Sequence, residues 1–182
     1  VFLSQPYTVV LRGTPWDYKI EVFDPDPLED LLVEITGDLP EWIDYNGHMQ
    51  DAFYGLVFSY AVDAFQDWVG FDAAYRTETD CTIYLVEEHK YFLREVKESD
   101  LLKVQIDVLG VSDKLFHLYC AMQSGGHDVA ISELMEMHVC QKPTPKGASI
   151  PQAISAQLNK LVISEKEELR IARRARAMHL KS

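Results

Sequence analysis

The feature that most constrains this chain is one long helical pattern with very little polar surface. Between Asp51 and Val69, apolar residues recur at the three- and four-residue spacing of an α-helix and cover most of its circumference. The remaining polar or small residues form one thin stripe: Gly55, Ser59, Asp63, Gln66 and Asp67. A helix with so small a polar face is normally buried, and its stripe argues against a membrane span. We therefore expect a core helix that other structure encloses.

Composition limits the classes of protein to which the chain can belong. With 182 residues, of which 47% are hydrophobic, it suits one globular domain with extensions at its ends. The formal net charge of -12 argues against nucleic acid as a partner of the main body. The cysteines are odd in number, far apart and placed in strand-like runs: Cys81, Cys120 and Cys140. We therefore expect buried, reduced thiols and a cytoplasmic location.

Strand-like runs occupy most of the chain after the long helix. Their apolar or alternating residues are bounded by turn signals, and they fall at 81–93, 102–108, 115–122 and 129–140. A short apolar run, Leu31–Ile35, precedes the helix, and the polar segment 70–80 that follows the helix is predicted to be a loop. Successive strands joined by short turns pair antiparallel. We predict an α+β fold in which an antiparallel sheet wraps around the central helix.

The two ends of the chain differ in composition from its middle. Residues 1–30 hold one strand-like run at 7–11 and the proline-broken stretch 24–27, which predicts an N-terminal extension. The main domain is predicted over residues 31–142. Residues 143–182 are predicted to form a linker followed by a basic helix.

The predicted C-terminal helix is the only basic part of the chain. It opens with a capping box, Ser164 followed by Glu167, and is predicted to continue to Met178. From residue 160 to 182, seven Lys or Arg residues oppose three Glu residues, which gives a net charge of +4. These cations either lie on a solvated face or bind phosphate groups of a ligand or partner. Two arginines are the candidates for phosphate binding: Arg173 and Arg174.

A polar turn stands directly before the long helix. Its residues, from Asp44 to His48, include Asp, Asn and Gly, which tolerate turn geometry, so the segment can be interpreted as a turn and nothing more. At the N-terminus of a buried helix, however, unpaired backbone N–H groups and the helix dipole favour developing negative charge. A carbonyl group bound there is polarised, and a nearby carboxylate can attack it or activate a water molecule. The pattern thus indicates an acyl-transfer site.

The turn and the strands after it resemble a known family of enzymes. Asp44-Tyr45-Asn46-Gly47-His48-Met49, followed by a long helix and four strands, is similar to the hotdog-fold acyl-CoA thioesterases of the 4-hydroxybenzoyl-CoA thioesterase type. The chain resembles more closely the thioesterases of carnitine degradation, including the domain fused to some carnitine dehydrogenases. The shared segments are EWIDYNGHM, a VE-x-H strand at 86–89, a VLG…DK…H hairpin at 108–117 and an E-x-M-x-x-H-V run at 133–139. The resemblance covers residues 31–141 and implies a hotdog fold.

The resemblance also implies a role for residues of the turn. Asp44 takes the place of the family's catalytic carboxylate, as nucleophile or general base. Gly47 and the backbone N–H groups from His48 to Asp51 take the place of the helix start that polarises the thioester. The family often has Asn after the Gly-His pair, whereas this chain has Gln50 and Asp51, and the Asp51 carboxylate is expected near the oxyanion position or as a helix cap. Hydrolysis of an acyl-CoA is therefore expected, with no cofactor beyond the coenzyme A of the substrate and with no metal.

The substrate and the assembly are further expectations from the resemblance. The carnitine-linked members point to betainyl-CoA, whose trimethylammonium group needs aromatic faces and negative charge around it. The candidates for substrate binding are Trp42, Tyr45, Asn46, Tyr54, Glu87 and His89. An aromatic or medium-chain acyl-CoA would use the same aromatic residues. A homodimer or a dimer of dimers is implied, and the alternatives are a hotdog hydratase or dehydratase and a non-catalytic acyl-binding protein.

Overall fold

The computed structural model describes residues 8–11, 18–21, 31–35, 42–98, 100–171, 173–175 and 178. These residues form eight β-strands and four α-helices. In chain order the elements are β1 (Thr8–Leu11), β2 (Tyr18–Glu21), β3 (Leu31–Ile35), α1 (Asp51–Val69), α2 (Ala73–Thr79), β4 (Cys81–Phe92), β5 (Leu102–Val111), β6 (Leu115–Ser124), β7 (His127–Cys140), β8 (Lys146–Gly147), α3 (Gln152–Lys160) and α4 (Glu165–Glu168).

The main sheet contains six of these strands. Five of them follow the order β3-β5-β6-β7-β4, and the short β8 pairs with the end of β7. Strand β3 runs antiparallel to β5, with Val33 opposite Val104, while β1 and β2 form a separate antiparallel pair. Among the strands that the structure describes, β4 stands at one end of the main sheet and is therefore an edge strand.

The burial of α1 and β5 agrees with their sequence patterns. Helix α1 has the bounds that the apolar spacing predicts, and it buries Tyr54, Val57, Phe58 and Ala61 in its first half. Strand β5 buries every second residue from Leu102 to Val108, as the alternation predicts. Each fully buried large apolar side chain stabilises the fold by about 1.5–3 kcal/mol, which is why these patterns dominate local preferences. Among the described residues, no helix combines the length and apolar character that crossing a membrane requires.

The chain divides into two compact units, each with its own core. The first takes the described residues of 1–64 together with 91–106 and 120–131. The second takes the described residues of 65–90, 107–119 and 132–182. In the second unit, the rings of Phe71 and Phe116 stack with centroids 6.0 Å apart, and the Leu158 side chain is fully buried.

The predicted loop over 70–80 is wrong, because most of it is the helix α2. Asp72 caps this helix: its Oδ1 accepts the Tyr75 N–H at 2.8 Å. Arg76 adds a second local contact, because its guanidinium donates to the Phe71 carbonyl oxygen at 2.6 Å. The segment is polar because none of its helical residues is buried, so it carries no apolar periodicity from which a helix could be predicted.

The predicted basic helix at the C-terminus is wrong in its extent. The capping box is present, with Ser164 Oγ accepting from the Glu167 N–H, but α4 ends at Glu168. Arg173 has a positive φ of 59°, a conformation that no α-helix continues through. A second helix, α3, lies where the sequence predicted only irregular structure, and its first turn follows Pro151. The predicted boundary at residue 143 remains a prediction.

The prediction of reduced thiols is wrong for two of the three cysteines. Cys81 at the start of β4 and Cys140 at the end of β7 form a disulfide, with their Cα atoms 3.9 Å apart. The two strands are neighbours in the sheet, which brings together residues that are 59 positions apart in sequence. Cys120 is buried and is not part of this disulfide, in agreement with the prediction for that residue. The cysteines therefore no longer support a cytoplasmic location, which remains a prediction.

Candidate active site

The loop before α1 closes on itself through backbone hydrogen bonds. The Asp44 N–H donates to the His48 carbonyl oxygen at 2.8 Å, and the Gln50 N–H donates to the Trp42 carbonyl oxygen at 2.9 Å. Met49 extends the contact by donating its N–H to the Val96 carbonyl oxygen at 2.8 Å. The loop is thus a tight hairpin whose end leads directly into the helix.

The Asp44 carboxylate is held by the loop that it begins. Its Oδ1 accepts the Asn46 N–H at 2.7 Å and the His48 N–H at 3.3 Å, and its Oδ2 accepts the Asn46 side-chain amide at 3.4 Å. Desolvation raises the pKa of this carboxyl, but the hydrogen bonds from Asn46 and His48 outweigh it and hold the pKa below its ordinary value. Asp44 is therefore ionised and fixed in direction at neutral pH.

Gly47 is required by the backbone conformation of this loop. Its φ is +79°, in the left-handed region that favours glycine, and its N–H donates to the Asp44 carbonyl oxygen at 3.0 Å. A Cβ atom placed at this position would meet no heavy atom within 4 Å. The requirement is conformational and not one of space.

Asp51 occupies the first position of α1 and uses part of the helix N-terminus. Its Oδ1 accepts the neighbouring Ala52 N–H at 2.9 Å, and the Phe53 N–H donates to the Gln50 carbonyl oxygen at 3.0 Å. The ring of Trp42 stacks on Phe53 with centroids 5.0 Å apart and connects the loop to the first turn of the helix. The Asp51 side chain thus contacts the first turn of the helix, and its role as a cap or near the oxyanion position remains a prediction.

An open cleft of about 310 Å³ lies beside the loop and the start of α1. It is lined by His48, Met49, Asp51, Tyr54, Phe92, Leu93, Arg94 and Glu95. Its volume is at the lower end of the range for small-molecule sites. The loop and the helix thus supply one wall of this cleft, and residues 92–95, which begin at the last residue of β4, supply the other.

Two contacts fix the segment after β4 against that first wall. Glu95 Oε2 lies 3.0 Å from His48 Nε2, and the Tyr54 hydroxyl donates to the Arg94 carbonyl oxygen at 3.3 Å. The rings of Tyr54 and Phe92 meet edge to face, with centroids 5.2 Å apart. Phe92, Arg94 and Glu95 are not among the site residues that the sequence predicts, because only the tertiary fold brings 92–95 beside the loop.

Of the residues that the sequence predicts for the site, His48, Asp51 and Tyr54 line this cleft, whereas its lining does not include Trp42, Asp44, Tyr45, Asn46, Gly47, Glu87 or His89. Tyr45 is 96% exposed at the tip of the loop, next to the exposed Asn46. Glu87 and His89 lie on the exposed part of β4, where Oε1 and Nε2 are 3.4 Å apart. Their roles in binding substrate remain predictions.

The two arginines predicted to bind phosphate differ in their surroundings. The Arg174 guanidinium pairs with two carboxylates: its Nε lies 3.1 Å from Glu133 Oε1, and its Nη1 binds Glu168. Arg173 is exposed. Binding of phosphate by Arg174 would therefore compete with its two ion pairs, whereas the exposed Arg173 is accessible from solvent.

One group of side chains has the composition of a metal site. Potential ligand atoms of Cys81, His138 and Cys140 lie within 4.8 Å of one another. The two sulfurs are bonded to each other, and the His138 ring nitrogens contact the Tyr75 hydroxyl at 2.7 Å and the Ala148 carbonyl oxygen at 3.0 Å. In this state the donor atoms of the group are engaged within the protein.

Known proteins resemble this chain in sequence and in fold. The model of the thioesterase-like superfamily matches residues 39–158, which include the loop, α1 and the strands from β4 onward. The chain belongs to the thioesterase-like superfamily. This membership confirms the hotdog fold and places the chain among the thioester hydrolases that act on acyl-CoA.

The curated relatives confirm the resemblance to the carnitine-linked group. A betainyl-CoA thioesterase from Pseudomonas aeruginosa is 43% identical over 106 residues, which cover 57% of this chain and 67% of that protein. An L-carnitine dehydrogenase/betainyl-CoA thioesterase from Agrobacterium fabrum is 36% identical over 70% of this chain. The matched part spans only 26% of that longer protein.

Two solved structures are similar to this chain in fold. A candidate thioesterase from Pseudomonas putida is 33% identical, with a TM-score of 0.67 over 85% of this chain and 98% of that chain. A Staphylococcus aureus protein solved in complex with CoA is 25% identical, with a TM-score of 0.69 over 81% of this chain and 96% of that chain.

Proposed function

We propose that this thioesterase hydrolyses a small acyl-CoA, with Asp44 as the reacting carboxylate. The observation that carries the proposal is the loop geometry: an ionised carboxylate, held by the N–H groups of Asn46 and His48, stands just before the N-terminus of a buried helix. A carboxylate needs such fixed orientation to attack or to accept a proton repeatedly from one direction.

The reaction follows from the groups that the loop and the helix supply. The N–H groups of His48, Met49 and Gln50 already donate within the protein, so polarisation of the thioester carbonyl falls to the N-terminus of α1 at Asp51, where the helix dipole favours negative charge on the carbonyl oxygen. Asp44 then either bonds to the carbonyl carbon, which releases CoA thiolate and leaves a mixed anhydride for water to cleave, or takes a proton from the attacking water. Both routes consume one water and yield the free acid and CoA.

The two routes can be separated by an isotope experiment. A single turnover in ¹⁸O-labelled water with enzyme in excess places the label in the Asp44 carboxyl if the carboxylate is the nucleophile and water attacks the anhydride at the aspartyl carbonyl. The general-base route places the label only in the released acid. Mass spectrometry of the peptide that contains Asp44 measures the difference.

Betainyl-CoA is the substrate that the comparisons support best. The Pseudomonas aeruginosa relative at 43% identity is named for this activity, and the Staphylococcus aureus structure contains CoA. A panel of betainyl-, 4-hydroxybenzoyl-, short-chain and long-chain acyl-CoAs, followed by release of free thiol, tests the assignment. The highest kcat/KM is expected for betainyl-CoA, and turnover of another acyl class alone would contradict it.

A homodimer is part of the proposal because of the edge strand β4. Its consecutive residues Tyr84, Leu85, Val86 and Glu87 are all exposed, so both faces of this part of the strand meet solvent. An exposed apolar edge strand is a template for pairing with another strand, and native monomers usually protect such edges. Pairing of β4 with the same strand of a second copy would continue the sheet and cover Leu85 and Val86.

A further inference from the structure

The cleft beside the loop offers an aromatic wall to a ligand. Phe92 is 54% exposed, and its ring meets Tyr54 edge to face with centroids 5.2 Å apart. The Tyr54 hydroxyl is occupied by the Arg94 carbonyl oxygen at 3.3 Å, so that ring is fixed in place. A quaternary ammonium group donates no hydrogen bond, and it binds best where ring faces and a carboxylate surround it without close polar contacts.

The carboxylate on this wall belongs to Glu95. Its side chain is 69% exposed and lies 3.0 Å from His48 Nε2, so the group is anchored on one side and open on the other. Burial raises the pKa of the Tyr54 phenol, and the negative charge of Glu95 raises it further. The charge of Glu95 therefore reaches the aromatic part of the cleft.

Two other charged residues line the same cleft. The Asp51 carboxylate already accepts the Ala52 N–H at 2.9 Å, which directs part of its charge toward the helix start. Arg94 is exposed and opposes a cationic ligand, although its backbone is fixed by bonds to Tyr54 and to Val129. The lining contains the carboxylates of Asp51 and Glu95 and the guanidinium of Arg94. Leaving His48 aside, the formal charge of the lining is therefore negative, which favours binding of a cation.

We propose that Glu95, together with the exposed ring of Phe92, which packs against the buried Tyr54, receives the trimethylammonium end of the acyl group and so sets the preference for a cationic substrate. This inference rests on the proposed function, because it needs a betainyl-CoA substrate. It goes beyond the reaction itself, since neither the loop nor the helix start distinguishes a charged acyl group from a neutral one.

The test compares two substrates that differ only in charge. In 3,3-dimethylbutanoyl-CoA a carbon atom replaces the nitrogen of betainyl-CoA, so size and shape are kept while the positive charge is removed. For Glu95→Gln, kcat/KM with betainyl-CoA is expected to fall about tenfold, mainly through KM, while kcat/KM with the neutral thioester stays within about twofold. Gln can still hydrogen-bond to His48, so the anchor of the segment is retained.

Glu98→Gln provides the matched control. Glu98 is exposed in the same segment, carries the same charge and does not line the cleft, so its replacement should leave both rates unchanged. An equal loss with both substrates in Glu95→Gln would show that Glu95 acts through His48 and would overturn the inference. An unchanged preference in Glu95→Gln would overturn it as well.

Failure of the proposed function has a different signature. In that case the wild-type enzyme hydrolyses neither thioester, or hydrolyses both equally well. If instead the wild type prefers betainyl-CoA and Glu95→Gln keeps this preference, the proposed function stands and only the role of Glu95 fails. The preserved rate with the neutral thioester also shows that the variant is folded.

Discussion

At the residue scale, the charge and the orientation of the Asp44 carboxylate depend on backbone N–H groups within four positions of it in sequence. Because its carboxylate accepts N–H groups of Asn46 and His48, its ionised form is stabilised by the same turn that directs it. The lowered pKa keeps the carboxylate fully ionised at neutral pH but makes it a weak base, so its fixed orientation must supply much of its reactivity in either role.

The first prediction concerns the pH dependence of activity. Asp44 must be ionised to react, and its pKa lies below the ordinary value of 3.8, so activity that depends on it is lost only as the pH falls through that lower pKa. We expect kcat/KM to stay level from pH 7 to about pH 5. A loss of activity centred between pH 5 and 7 would assign the limiting proton to a group other than Asp44.

The second prediction concerns Gly47. Ala at a φ of +79° costs about 1 kcal/mol, and relaxation of the loop would weaken both N–H contacts to Asp44. Gly47→Ala is expected to lower kcat at least several-fold while KM changes little. Gly125→Ala, at a positive φ in the β6–β7 turn, is the control that carries similar strain away from the loop, and an equal loss of kcat in both variants would contradict the prediction.

At the scale of elements, a buried carboxylate holds the C-terminal segment. Glu133 on β7 is fully buried, and its oxygens contact Arg174 Nε at 3.1 Å, the Ala175 N–H at 2.6 Å and His117 Nε2 at 2.8 Å. Burial raises the pKa of this carboxyl, but these partners outweigh it and the pKa is lowered. The segment is completed by the buried side chains of Ala175 and Met178, which pack with Met135.

The third prediction follows from this cluster. Glu133→Gln removes a buried negative charge and leaves the cationic partner of that charge in place, which is costly. The substitution should therefore lower the free energy of unfolding by about 3 kcal/mol at pH 7. Because the folded pKa is below the unfolded value, the stabilisation is present above the unfolded pKa and is lost as the pH falls through the folded pKa. Urea unfolding at pH 7 and pH 4 should show a smaller difference from wild type at the lower pH. A difference that does not narrow would contradict the ionic role.

The same scale shows which elements the sequence could predict. Helix α1 and strand β5 were predicted well because their apolar periodicity reports burial directly. Helix α2 buries no residue, and the disulfide of Cys81 joins strands distant in sequence, so neither leaves a local pattern. In the candidate site, Asp44 and Gly47 could be proposed from the sequence because one short motif contains them, and their roles remain predictions. Phe92 and Glu95 were missed because their place beside His48 depends on tertiary structure.

For the whole molecule, the exposed edge of β4 determines the expected assembly. Val86→Lys places a charge on the strand that we propose pairs with a second copy, and it should convert a dimer to a monomer in sedimentation velocity. Leu169→Lys is the control, because Leu169 is also an exposed apolar residue but lies outside β4. Monomeric wild-type protein, or an unchanged dimer in Val86→Lys, would contradict the proposed interface.

The central claim is that the Asp44 carboxylate carries out hydrolysis, and its most direct test is free-thiol release by Asp44→Asn. Asn keeps the size of the side chain and removes the charge, and Glu98→Gln serves as a control for charge removal elsewhere. We expect Asp44→Asn to lower kcat with betainyl-CoA by about 10³-fold or more while the enzyme still binds the thioester. If Asp44→Asn instead keeps wild-type turnover, the loop is only a turn, and the hydratase and acyl-binding alternatives become the better explanations.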